Sequence, residues 1–136
     1  MQITEQFTRQ HHEMISLCDQ LWDCAIEEYI SKDASFVHKI QQSLYKVLNL
    51  HSRLEDDAFY PMLHEHKDPR VRTTSLSLKD KFLECGNTHL LYQESYPTPQ
   101  SIEANPAQYV RDTHNVINMI RNRINIEERE LYSLLR

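Results

Sequence analysis

Glycine is nearly absent from this chain: Gly86 is the one example among 136 residues. That leaves almost no material for tight hairpin turns, phosphate-cradling loops or dinucleotide fingerprints. Helices with short punctuation are favoured instead. Cysteine is scarce too. Cys18, Cys24 and Cys85 are odd in number and lack Cys-x-x-Cys spacing, which argues against a disulfide framework or a zinc finger and fits a reducing compartment. No apolar run approaches the ~20 residues that span a bilayer, and Met1-Gln-Ile-Thr-Glu has no signal-peptide layout. A cytoplasmic location without a membrane partner is expected. Positive charge is also in deficit: the formal net charge is −5 and no basic stripe stands out, so nucleic acid is not an expected partner. What remains is 40% hydrophobic and 26% charged residues, enough for a core and a solvated surface in a single domain over residues 1–136.

The chain does contain an internal repeat. His51-Ser-Arg-Leu-Glu55-Asp56-Asp-Ala-Phe59-Tyr60-Pro-Met-Leu63 aligns with Arg123-Ile-Asn-Ile-Glu127-Glu128-Arg-Glu-Leu131-Tyr132-Ser-Leu-Leu135 at a constant offset (123 − 51 = 127 − 55 = 72). Residues i and i+4 share a helix face. Each copy therefore aims a Glu and the residue four before it at the same neighbour. An inward carboxylate is costly unless something positive meets it.

Hydrophobic periodicity predicts four helices. Ile3, Phe7, His11, Met14, Leu17/Cys18, Leu21 and Ala25 trace an amphipathic helix from about Thr4 to Tyr29. Asp33 or Ser35 can cap a second, with Val37, Ile40, Leu44, Val47/Leu48, His51, Glu55, Ala58 and Met62 inward and Pro61 kinking or ending it. His64 to Asp68 is a polar joint. A third helix carries Leu76, Lys79, Phe82/Leu83, Gly86, Leu90 and Gln93 as its seam, and Tyr96 to Pro106 is a linker. Asn105 caps and Pro106 opens a fourth helix, with Val110, Ile117, Ile120, Ile124, Glu127, Leu131 and Leu134 inward. The expected fold is all-α: an antiparallel up-down-up-down four-helix bundle with the repeated segments facing each other across the core.

The seam residues that are not apolar are His11, His51, Glu55, His89, Arg123 and Glu127. His11 is preferred to His12 on phase, because Met14, Ile15, Leu17, Cys18 and Leu21 follow it at helical spacing. His89 reaches the same layer if the third helix starts late, near Ser75. Imidazoles and carboxylates from facing helices are how a bundle builds a metal site, and nitrogen and oxygen donors without thiolate suit iron, manganese or zinc. Tyr60 and Tyr132, mates under the repeat, are candidate hydrogen-bond donors to the two Glu residues.

These motifs resemble those of the hemerythrin-like, HHE cation-binding family over nearly the full chain. His51-x-x-x-Glu55-Asp-x-x-Phe-Tyr60-Pro61-x-Leu63 is similar to the family's second-helix signature, Ile124-x-x-Glu127-Glu128-x-x-Leu131-Tyr132 to its fourth, and His11 beside His12-Glu13 to its first. The resemblance implies a four-helix bundle around a non-haem di-iron centre, with His11 and His51 as terminal ligands and Glu55 and Glu127 as bridging carboxylates. It further implies a protein that binds or senses dioxygen, nitric oxide or peroxide, or handles iron, rather than a dedicated enzyme.

Two departures stand out. The fourth-helix pattern wants His where this chain has Arg123, and a guanidinium stays protonated and cannot ligate. On the third helix the nearest fit is Cys85-x-x-x-His89, with Glu84 as the other candidate. The alternative function is thus a metal-free bundle in which Arg123 neutralises Glu55 and Glu127 and the outer face meets a regulatory protein partner.

Overall fold

The computed structural model describes residues 2–135, all helices and short joints with no strand among them. Met1 and Arg136, the ends of the expected domain, lie outside the described residues. Helix α1 (Gln2–Cys24) buries Thr4, Phe7, His11, Met14, Cys18 and Leu21, alternating steps of three and four that lay one stripe against the core. It ends at Cys24 rather than Tyr29, because Ile26 takes an extended backbone (φ −129, ψ 137). Helix α2 (Glu27–Leu54) is interrupted at Asp33 (φ −154, ψ 69), whose carboxylate accepts from Phe36 N–H at 3.1 Å. Asp33 is the expected cap, satisfying a donor that the helix start leaves open.

Beyond α2 the chain does not kink at Pro61. Glu55–Phe59 forms a π-helical turn, and α3 (Tyr60–His64) continues from it with helical backbone at Phe59 and Tyr60 and Pro61 as its second residue. The same thing happens one repeat later. Helix α7 (Pro106–Ile126) passes into a π turn at Glu127–Leu131, then a 3₁₀ turn at Tyr132–Leu135. The offset is again 72 (127 − 55 = 131 − 59), and each turn closes with a tyrosine N–H donating to the Glu carbonyl five residues back. The π turns shift the inward phase by one residue. Ala58 and Met62, expected inside, are exposed, while Phe59, Tyr60 and Leu63 are buried.

The third helical segment departs most from expectation. Asp68 caps α4 (Pro69–Lys81), which starts well before Ser75, and the chain breaks at Phe82 (φ −91, ψ 0) before α5 (Leu83–Ser95). Leu76, Leu83 and Leu90, expected in the seam, are exposed. The buried stripe is Val71, Ser75, Leu78 and Phe82 on α4, and His89 and Tyr92 on α5. Counting leucines selected the wrong phase because this stripe mixes small, aromatic and polar residues. Part of the expected linker is helical: Thr98 and Ser101 form a reciprocal capping box on α6 (Pro99–Glu103), which pins Ile102 fully buried in the core. Asn105 caps α7 through Gln108 N–H at 3.2 Å, with Pro106 at its start, as expected.

The core falls into two apolar clusters. One gathers Met14, Cys18, Leu21, Leu44, Leu48, Ile117, Ile120 and Ile124. The other gathers Phe7, Phe59, Tyr60, Leu63, Phe82, Leu131 and Tyr132. Along α1, α2 and α7 alike, the residues where one cluster gives way to the other are polar: His11, His51 with Glu55, and Glu127.

Candidate metal centre

The layer between the clusters is fully enclosed. His11 and Glu55 have no exposed surface, and His51 and Glu127 almost none. The two imidazoles meet with Nε2 atoms 3.1 Å apart. Each ring is fixed from behind: His11 Nδ1 lies 2.7 Å from Glu128 Oε2, and His51 Nδ1 is held by Gln10 Oε1. The Glu128 carboxylate accepts only and Gln10 presents its carbonyl oxygen, so in this arrangement each Nδ1 donates. In a neutral ring the Nε2 lone pair is then left bare. Burial, the largest influence, lowers the pKa of both rings, His51 to about 4, although the Glu127 charge pulls the other way. At neutral pH the two lone pairs therefore face each other with no proton between them.

Such a pair of acceptors needs a positive species. Two donors ~2.1 Å from one ion and at right or tetrahedral angles lie about 3.0–3.4 Å apart, and the Nε2 separation falls within that span. Donor atoms of His11, His51 and Glu127 all lie within 4.8 Å of one another, with His11 Nε2 to Glu127 Oε1 at 3.8 Å. The donor set fits one divalent ion. His12 is exposed, as phase predicts.

Glu55 stands on the other side of the layer. Its Oε1 lies 3.2 Å from His51 Nε2 and accepts from Arg123 Nη2, also at 3.2 Å. Arg123 Nε lies 3.6 Å from Glu127 Oε1, so the guanidinium spans both carboxyls. It also sits 4.8 Å over the Phe82 ring. Burial would lower its pKa, but Glu127 and Glu55 more than offset that and raise it. Burial raises the pKa of both acids. Glu127 reaches about 8, helped by the charge of Glu55 and a hydrogen bond to it. Burial and the neighbouring Glu55 thus favour the neutral form of Glu127 near pH 7.

The π turns explain how the tyrosines arrive. In an unbroken α-helix a residue at i+5 lies about 140° around from residue i, so Tyr60 and Tyr132 would leave the face that carries their Glu. Widening the turn returns them inward; π turns recur at functional sites for such re-aiming. Tyr60 hydroxyl donates to Glu127 Oε2 at 2.7 Å. Tyr132 stacks on His11, centroids 5.5 Å apart. Its hydroxyl and Glu55 Oε2 are buried without a hydrogen-bond partner. Tyr132 lies close enough to favour ionised Glu55, without completing a bond of good geometry.

His89 is buried beside this layer but turned to other work: its Nδ1 lies 2.9 Å from the Tyr45 hydroxyl. It borders, with His51, Glu55, Arg123 and Glu127, a void of about 10 Å³. Burial and the nearby Arg123 lower its pKa to about 4. Glu84 is exposed and Cys85 half-buried. Gln10 and Glu128 were not among the residues expected at the site. Glu128 was legible as the repeat mate of Asp56, the acid that follows each inward Glu; nothing in the pattern marked Gln10.

The chain matches the model of the hemerythrin HHE cation-binding domain family over residues 2–135. No curated protein and no solved structure matches it. The match spans essentially the whole chain, so the chain belongs to the hemerythrin HHE cation-binding family.

Proposed function

We propose that this hemerythrin-family protein binds iron at the His11–His51–Glu127 layer and uses it to capture or sense a small oxidant or gas, not to turn over an organic substrate. The observation that carries this reading is the pair of bare Nε2 lone pairs 3.1 Å apart in a fully buried layer. Bound iron supplies an open coordination position and redox reactivity towards dioxygen, nitric oxide or peroxide. His11 and His51 hold the ion, and Glu128 and Gln10 lock their tautomers. Glu127, once ionised, would complete the donor set. The Tyr60 hydroxyl, which donates to Glu127 Oε2, would stabilise that carboxylate. Phe7, Phe59 and Met14, all buried, keep bulk water away. The architecture we infer for this role is an antiparallel up-down-up-down four-helix bundle made of α1, α2 with α3, α4 with α5, and α7. Packing of α1 on α2 and α7, and of α5 on α7, supports it.

A second reading is favoured by Arg123. With Glu127 neutral, Arg123 and Glu55 balance each other without any ion. A metal-depleted module that signals through its outer face to a regulatory partner follows from that balance. The deciding experiment is elemental analysis after anaerobic iron(II) loading, followed by absorption spectra on exposure to air and to nitric oxide. Retained iron with new bands is expected. Protein that emerges iron-free and spectrally silent would leave only the second reading.

A further inference from the structure

We infer that Arg123 stands in for a second metal ion, so that the centre takes one divalent cation per chain and not a pair. This rests on the cation-binding reading above and specifies its stoichiometry. Under the internal repeat Arg123 is the counterpart of His51. In the first copy that position supplies a ligand. In the second it supplies a permanent cation at the equivalent place, and a guanidinium has no lone pair to offer a metal.

The geometry is that of a bridging ion. Arg123 reaches Glu55 Oε1 with Nη2 at 3.2 Å and Glu127 Oε1 with Nε at 3.6 Å, touching both carboxyls that would otherwise clasp two metals. It is not a loose surface side chain: its exposure is 16% and Phe82 lies under its face. The void between Arg123 and the two carboxyls, about 10 Å³, is the size of one water-sized sphere, too little for an ion with its own water ligands; the roomier cavity on the other flank of Arg123, about 420 Å³, is bordered by Asp56, Lys79 and Phe82 but by neither Glu55 nor Glu127. The imidazole on that side, His89, has Nδ1 engaged by Tyr45.

The charge count agrees. Arg123 and one divalent ion bring three positive charges, against three carboxylates in contact with the layer, Glu55, Glu127 and Glu128. A second divalent ion would add two positive charges beyond those three carboxylates at a largely buried layer, where uncompensated charge is costly.

The test is anaerobic iron(II) titration of the full chain with elemental analysis, then oxidation and electron paramagnetic resonance. The wild-type protein should bind one iron per chain and show one ferric spin per chain, because an isolated ferric ion is paramagnetic. Arg123→His should bind two, with the ferric signal lost as the pair couples antiferromagnetically. Arg123→Lys, which keeps the charge, should stay at one. Two irons per wild-type chain would overturn the inference while leaving the cation-binding reading intact. No iron at all would overturn both. If Arg123→His does not fold, the wild-type and Arg123→Lys stoichiometries still decide. If it folds and stays at one iron, Arg123 is not what excludes the second ion and the inference falls.

Discussion

Titrating a divalent ion into the ion-free protein at pH 7 should expel close to one proton per ion, and the structure says which one. Glu127 carries it. With its pKa raised to about 8 by burial and by Glu55, the carboxyl is about 90% protonated at pH 7, half at pH 8 and about 10% at pH 9. A coordinated carboxylate must be ionised, so binding at pH 7 releases about 0.9 proton. The histidines add nothing: burial holds His51 at about 4 and lowers His11 as well, so their Nε2 atoms are already bare. Apparent affinity should therefore climb about tenfold per pH unit, or ~1.4 kcal/mol, up to pH 8 and level off above it. Isothermal calorimetry with cobalt(II), in buffers of different ionisation enthalpy at pH 6, 7, 8 and 9, measures the proton count directly. Were the ligands solvated, Glu127 would be ionised throughout and two histidines near 6.5 would set the dependence, with almost no release at pH 8. No proton at pH 7, or a count that keeps rising above one at pH 7 to 8, would refute the assignment.

Three more expectations follow from the same layer and its surroundings. Without metal, Glu127 alone should make stability fall by about 1.6 kcal/mol between pH 6.5 and 8, since a group whose folded pKa is raised contributes stability that is lost as pH rises through it; the lowered His11, His51 and His89 offset part of this with the opposite slope up to about pH 7.5. Urea denaturation of wild type and Glu127→Gln across that range checks it: the variant should lose the fall and keep only the rise with pH that the histidines set. Glu128→Gln and Gln10→Leu should each weaken metal binding by about 10–100-fold by freeing a ring tautomer, measured by competition with a chelating dye; unchanged affinity in both would mean that the rings are fixed by packing alone. Gly86→Ala should raise stability by about 0.5–1 kcal/mol, because Gly86 lies inside α5 and an added Cβ meets no atom within 4 Å; thermal unfolding that shows a loss would place a constraint on that residue.

Much of the helical layout could be read from the sequence because it rests on local chemistry. Asp33 as a cap, Asn105-Pro106 as a helix start and the three-four spacing in α1 each depend on residues adjacent in the chain. His11 over His12 followed from the same periodicity. The third segment was misread where that logic gives out. On α4 and α5 Leu76, Leu83 and Leu90 point to solvent while Ser75, Leu78, His89 and Tyr92 point inward, a choice made by tertiary packing and not by the segment's own pattern. Ala58 and Met62 were misplaced for a different reason: a fixed 3.6-residue period cannot register a π turn.

The π turns were nonetheless encoded in the repeat. In both copies a Glu is followed five residues later by Tyr, a spacing that no α-helix can put on one face. In the first copy Pro61 adds a second reason to widen the helix, because its ring would crowd the carbonyl four residues back. The second copy has Ser133 there and forms the same turn, so proline is not the cause. What the copies share is the pair of inward polar groups and the layer they meet in. A turn that sacrifices good hydrogen-bond geometry, twice, at the two carboxylates of a buried polar layer, is better explained by the demands of that layer than by the helices flanking it. The copies then diverge at one position. His51 faces a lone pair across the layer and needs a cation; Arg123 brings one. The repeat makes the centre symmetric in its acids and its tyrosines, and guanidinium in place of imidazole makes it asymmetric in charge, with the paired imidazole nitrogens on the His11–His51 side alone.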